Sequence, residues 1–147
     1  MYLGCRGKGT GFPTFMAVIF DAIMLNQGGG YDNRHDVFRA TINGTYMFTA
    51  TLSVAPQGSY HAAFVKNTAD NEIGYLCADP MSIWLERSTT VVTHLAAGEE
   101  VWMVCLSDFR IEGNTNYFHA HMCPDRSSGR TQGKGMRRGN IDLYLGM

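Results

Sequence analysis

From Thr45 to Val54 the chain alternates, with an apolar or aromatic residue at every second position and Met47 alone out of step. Tyr46, Phe48, Ala50, Leu52 and Val54 share one face of an extended strand, while Thr49, Thr51 and Ser53 share the other. A helix would scatter the same residues around its circumference. No segment of the chain sustains the 3.6-residue period of an amphipathic helix, whereas short strand-like runs recur throughout. The pattern predicts strands over Phe15–Phe20, Ile23–Leu25, Val37–Ala40, Tyr60–Val65, Ile73–Cys77, Ser82–Leu85, Thr89–Leu95, Val101–Leu106, Tyr117–Met122 and Ile141–Leu145. Asn26-Gln27-Gly28-Gly29-Gly30 and Pro56-Gln57-Gly58-Ser59 read as loops, and Asn43-Gly44 between apolar residues carries the strongest short hairpin signal. Gly44 and Gly98 are expected to adopt positive φ in tight turns, and Tyr46, Phe48 and Trp102 to point inward. Seventeen glycines against four prolines suit such a fold. The expected class is all-β: a jelly-roll sandwich of about ten antiparallel strands.

At 147 residues the chain suits one ordinary domain. Residues 1–12 are Gly-rich and basic and read as a flexible lead-in, with the domain proper over 13–147. Residues 124–139, with Arg126, Arg130, Lys134, Arg137 and Arg138, read as an exposed basic loop. Hydrophobic residues make up 45% and charged ones 17%, and the formal net charge of −1 provides no global field for nucleic acid or an anionic bilayer. No apolar run has the length of a membrane-spanning helix. The opening Met1-Tyr2-Leu3-Gly4-Cys5 lacks the apolar stretch of a signal peptide, so a secreted form is expected to have lost one. Four cysteines, Cys5, Cys77, Cys105 and Cys123, permit two disulfides in an oxidising compartment, with Cys105–Cys123 one plausible pair.

Several stretches in order resemble the C1q globular-head family, within the tumour-necrosis-factor-like jelly rolls. They are Phe20-Asp21-Ala22-Ile23-Met24-Leu25-Asn26, then Gly30-Tyr31-Asp32 with Val37-Phe38-Arg39-Ala40, then Asn43-Gly44-Thr45-Tyr46-Met47-Phe48. Val65-Lys66-Asn67 and His94-Leu95-Ala96-Ala97-Gly98-Glu99-Glu100-Val101-Trp102 complete the set. The chain has no Gly-X-Y stalk and is similar to the head-only secreted members of that family in bivalve molluscs. The resemblance implies a secreted homotrimer with a lectin-like role in innate immunity, its partners being glycans, lipopolysaccharide or other anionic ligands. About forty residues follow Leu106, and Ile141–Leu145 is the candidate for the family's final strand.

Four groups of residues are candidates for binding. Asp108, Phe109, Arg110 and Glu112 follow the Val-Trp strand, where an arginine fork and an aromatic ring suit an anionic sugar. Asp79 and Glu86 lie near the place where calcium-binding relatives carry carboxylates, although the matching positions are Ala78 and Leu85, one residue off each acid. His119-x-His121-x-Cys123 puts two imidazoles and a thiol on one strand face, a donor set for zinc or copper. Asn43-Gly44-Thr45 is a glycosylation sequon. No cofactor is required by this reading; calcium is the first candidate ion and zinc the second, in an extracellular metal-binding or mineral-associated alternative. No Gly-x-Ser-x-Gly, phosphate loop, dinucleotide fingerprint or His-Glu-x-x-His occurs, so an enzyme is not expected.

Overall fold

A computed structural model describes residues 3–4, 16–18, 20, 22–106, 110–111, 116–124 and 142–146. Thirteen strands occur among them: β1 (Leu3–Gly4), β2 (Met16–Ala17), β3 (Ala22–Asn26), β4 (Tyr31–Asp32), β5 (Val37–Arg39), β6 (Gly44–Val54), β7 (Tyr60–Lys66), β8 (Glu72–Ala78), β9 (Leu85–Leu95), β10 (Glu100–Cys105), β11 (Arg110–Ile111), β12 (Tyr117–Met122) and β13 (Asp142–Gly146). No helix occurs among the described residues. One sheet runs β4-β5-β10-β7-β8, with β2 also pairing β10; the other runs β3-β13-β12-β6-β9, and β1 pairs β11 apart from both. Every pairing is antiparallel.

The alternation in β6 behaves as its spacing predicts: Tyr46, Phe48, Ala50, Leu52 and Val54 are all buried. Phe48 stands among Phe38, Phe64 and Phe118, at ring-centroid separations of 5.2, 6.2 and 6.0 Å. Tilted and edge-on contacts of this kind favour aromatic packing over face-to-face stacking. Buried hydroxyls are satisfied by backbone: Tyr46 donates to the Ile42 carbonyl at 2.8 Å and Tyr60 to that of Leu52 at 3.1 Å. Asn26 staples the glycine loop after β3, donating to the Tyr31 carbonyl at 2.9 Å and accepting the Tyr31 amide at 3.2 Å.

Four expectations change. The Asn43-Gly44 step is not a hairpin, because β5 and β6 lie in different sheets and the segment arches between them. Gly44 is not at positive φ; it opens β6, where an added Cβ would come within 3.3 Å of Met122 Sδ. Gly98 does hold φ of 90°. Residues 82–84 form no strand, and β9 begins only at Leu85. Trp102 faces away from the main core: β10 gives Val101, Met103 and Cys105 to that core, while Trp102 packs with Leu106 against Ala63, Val65 and Val104 on the other side of the sheet.

Candidate functional site

Strands β8 and β9 are the edge strands of the two sheets on the same side of the sandwich. At Gly74 they touch, since a Cβ built there would lie 2.3 Å from Val91 Cγ1. Toward the far end of β8 they part, and the connecting residues 79–84 bridge the opening. The loop is tied down by the Gln57 amide, which donates to the Met81 carbonyl at 2.6 Å from a residue at φ of 66°. The result is a groove of about 410 Å³ lined by Tyr75, Cys77, Asp79, Met81, Leu85 and Arg87, with Leu76 and Ser88. Its rim is unusually apolar for exposed surface: Trp84 and Ile83 are each 58% accessible, Met81 49% and Tyr75 48%.

The groove offers a mixed chemistry. Tyr75, Met81 and Leu85 form an apolar wall, and Asp79 and Arg87 add one charge of each sign. Tyr75 is fixed by a close hydrogen bond between its hydroxyl and His61 Nδ1, with the rings 6.0 Å apart. Desolvation pushes the Tyr75 phenol above its ordinary value, and neighbouring Cys77 adds to the shift. The hydroxyl therefore stays protonated at neutral pH. A flat ring with a directed hydroxyl, a carboxylate and a guanidinium can stack on and hydrogen-bond to a polyhydroxylated ligand. Sequence reasoning singled out Asp79 but missed Tyr75, Trp84 and Arg87; the available signal was an Ile-Trp pair two residues after Asp-Pro-Met, too apolar for a free loop and misread as a strand.

The remaining candidates lie elsewhere. Asp108, Phe109 and Glu112 fall outside the described residues, as do Cys5 and the basic run 126–138; Arg110 belongs to β11, opposite Gly4. Strand alternation turns Glu86 to the opposite face of β9 from Leu85 and Arg87, so Asp79 and Glu86 do not meet in one site. His119 and His121 share the outer face of β12 with rings 6.3 Å apart. Cys123 does not converge with them, because four residues of extended chain span about 13 Å. Among the described residues no three His, Cys, Asp or Glu side chains are placed to hold one ion. Asn43 is exposed, its Oδ1 accepting the Ala97 amide at 2.8 Å.

Cys77 and Cys123 are free thiols, so neither is a disulfide partner. The pairing of Cys105 with Cys123 fails for a topological reason. Cys105 stands beside Ala62 and Met16 in the six-stranded sheet, whereas the Cys123 amide bonds Thr45 in the other. Packed sheets lie about 10 Å apart, beyond the roughly 4.4–6.8 Å between Cα atoms that a disulfide spans.

With this architecture in place, comparison with known families decides the class. A model of the C1q domain matches residues 5–121. The chain belongs to the C1q-domain family. The match closes at His121, inside β12, which lies directly against β6. β13, which holds Asp142–Gly146, lies beyond that match and pairs between β12 and β3. Among solved structures, this C1q domain is similar to the globular domain of zebrafish complement 1qA protein, at 16% identity, over 81% of this chain and 93% of that one, with a TM-score of 0.63. That likeness is one of fold.

Proposed function

We propose that this C1q domain is an extracellular, trimeric recognition module that binds glycans, sialylated or otherwise anionic ones included, in the groove between β8 and β9. The observation that carries it is the exposed Tyr75 in a groove also lined by Asp79 and Arg87, with Trp84 exposed on the loop that borders it. Aromatic rings left in water suit the apolar face of a sugar, and a carboxylate and a guanidinium suit its hydroxyl or carboxylate edge. Three weak sites on one trimer gain affinity by avidity.

Trimerisation accords with membership of the family and with the contrast between the two outer faces. The six-stranded sheet displays Arg39 on Glu100 and the Asp32–His35 pair. The five-stranded sheet instead displays Met47, Thr49 and Thr51 opposite Val92, Thr90 and Ser88, with Val92 61% and Leu25 45% accessible. Its hydroxyls are bonded to one another, Thr49 to Thr90 at 2.9 Å and Thr51 to Ser88 at 2.7 Å. Apolar side chains and hydroxyls already paired with one another are inexpensive to bury against another copy. An oxidising compartment accords with Cys105, which does not titrate as a thiol; with Cys77 and Cys123 free, Cys5 is its proposed partner.

The test is a glycan array probed with the intact chain, followed by titration of the best ligand. Trp84→Ala and Arg87→Ala should each weaken binding by about tenfold, the scale of one stacking or bidentate contact. Silence across sialylated and bacterial glycans overturns the reading.

A further inference from the structure

The sequon Asn43-Gly44-Thr45 stands where β6 begins, in the arch that carries the chain from one sheet to the other. Asn43 and Thr45 are both exposed, and Ile42 beside them is 38% accessible. The arch is braced on the turn between β9 and β10. Ala40 donates its amide to the Glu99 carbonyl at 2.9 Å and accepts the Gly98 amide at 2.7 Å. Tyr46 donates to the Ile42 carbonyl at 2.8 Å, and the Ala97 amide donates to Asn43 Oδ1 at 2.8 Å.

That last bond fixes which way the carboxamide faces. A backbone amide only donates, so the atom it meets is the oxygen. Oδ1 therefore points at the turn, and Nδ2, on the other branch of the planar group, points away from it. Among the described residues Nδ2 has no hydrogen-bond partner. The nitrogen that carries an N-linked sugar is thus the one the fold leaves in water, on a residue whose other polar atom holds it in place. The register pairs Gly44 with Leu95 and Val54 with Leu85, so Asn43 lies at the opposite end of the β6–β9 ladder from the groove residues Leu85 and Arg87. A strand rises about 3.3 Å per residue, which puts roughly 30 Å between the two ends. Asn43 also precedes the first position of that ladder, so an attachment there leaves the outer face of the five-stranded sheet clear.

We propose that Asn43 is an N-glycosylation site, and that its glycan projects from the end of the sandwich opposite the groove, clear of the face that meets another copy. In the transfer, Nδ2 bonds to the anomeric carbon of an oligosaccharide carried on a lipid pyrophosphate. The bond from that carbon to the pyrophosphate oxygen breaks, the lipid pyrophosphate leaves with the electron pair, and Nδ2 gives up one proton. Oδ1 is untouched, so its bond to Ala97 survives in the product. The proposal rests on the extracellular part of the reading above and not on its ligand.

The experiment directs the intact chain into the secretory path of insect cells behind a cleavable signal, beside Asn43→Asp and Thr45→Ser. Asn43→Asp keeps an oxygen for Ala97 but cannot take the sugar, whereas Thr45→Ser keeps the sequon. Most secreted parent and Thr45→Ser chains should run larger before treatment with peptide-N-glycosidase F than after it, with mass spectrometry locating the deamidation at position 43. Asn43→Asp should show no such shift, and it should sediment as the same oligomer as the glycosylated parent. A secreted chain whose Cys105 resists alkylation until reduced, yet whose Asn43 is bare, overturns the site and leaves the extracellular reading standing. A chain retained in the cell with Cys105 open to alkylation overturns both. A glycosylated parent that sediments as a smaller species than Asn43→Asp overturns the placement of the sugar away from the interface.

Discussion

Glu99 shows how one side chain can join separate loops. Its carboxylate accepts the Ala96 amide at 2.8 Å and the Asn67 side-chain amide at 2.9 Å, and lies 3.2 Å from Lys66 Nζ. The Ala96 amide first, then Asn67 and Lys66, hold this carboxyl at about 2. Asn67 completes the exchange by accepting the Glu100 amide at 2.9 Å from a left-handed backbone, φ 63°. The folded value lies below the ordinary carboxylate value near 4.3, so the contribution is fully present above that pH and lost as pH falls toward about 2. Glu99→Gln should therefore melt at a lower temperature than the parent at pH 7, with the gap closing between about pH 4.5 and pH 2. Thermal melts across that range check it, and a gap independent of pH contradicts the assignment. The Lys-Asn step was visible in the sequence as a turn, but its link to Glu99, 32 residues away, was not, because side-chain capping across two loops leaves no periodic trace.

At the scale of elements, the contact of β8 with β9 sets the groove. Gly74 lets the two edge strands meet because Val91 occupies the space a Cβ would take. Gly74→Ala should cost about 1–3 kcal/mol as an overpacking change. In the Val91→Ala background the same substitution should cost markedly less, and equal losses in both backgrounds in urea melts would argue against the contact. Strands with one buried face, such as β6 and β12, were legible from alternation alone. The misassignment of Ser82–Leu85 has a physical origin: Ile83 and Trp84 are apolar in sequence but exposed in place, and hydrophobic runs are read as buried. Trp102 went wrong for the complementary reason, since β10 has both faces covered and alternation there does not reveal which face is the main core.

For the whole molecule, the order of signatures along the chain was enough to place it in its family, because Gly-x-Tyr-x-Phe and Leu-x-x-Gly-x-x-Val-Trp mark the starts of β6 and β10. The sheet order was not legible: pairing β12 with β6 joins residues more than sixty positions apart. The site was legible only in part, as Asp79, since a groove between two edge strands is a property of the assembled sandwich. If Cys105 is cross-linked as proposed, reduction under native conditions should lower stability by about 2–4 kcal/mol, and Cys105→Ser should abolish the response to reductant. Denaturant melts with and without reductant decide the matter.

The second apolar cluster, Ala63, Val65 and Val104 beneath Trp102 and Leu106, covers the reverse side of β7 and β10. These adjoining strands are apolar-packed on both sides, and Ala62, Ala63, Phe64 and Val65 are all fully buried in succession. Amide protons there can reach deuterium only when the sandwich itself opens, so β7 and β10 should be the last backbone to exchange and should report the global opening free energy. The loop that roofs the groove is tied down by one backbone bond and carries Ile83 and Trp84 in water. Its amides should exchange by local fluctuation, orders of magnitude sooner. Recognition would then sit on the least protected segment, carried by a sandwich whose slowest-exchanging strands begin one position along in the same sheet.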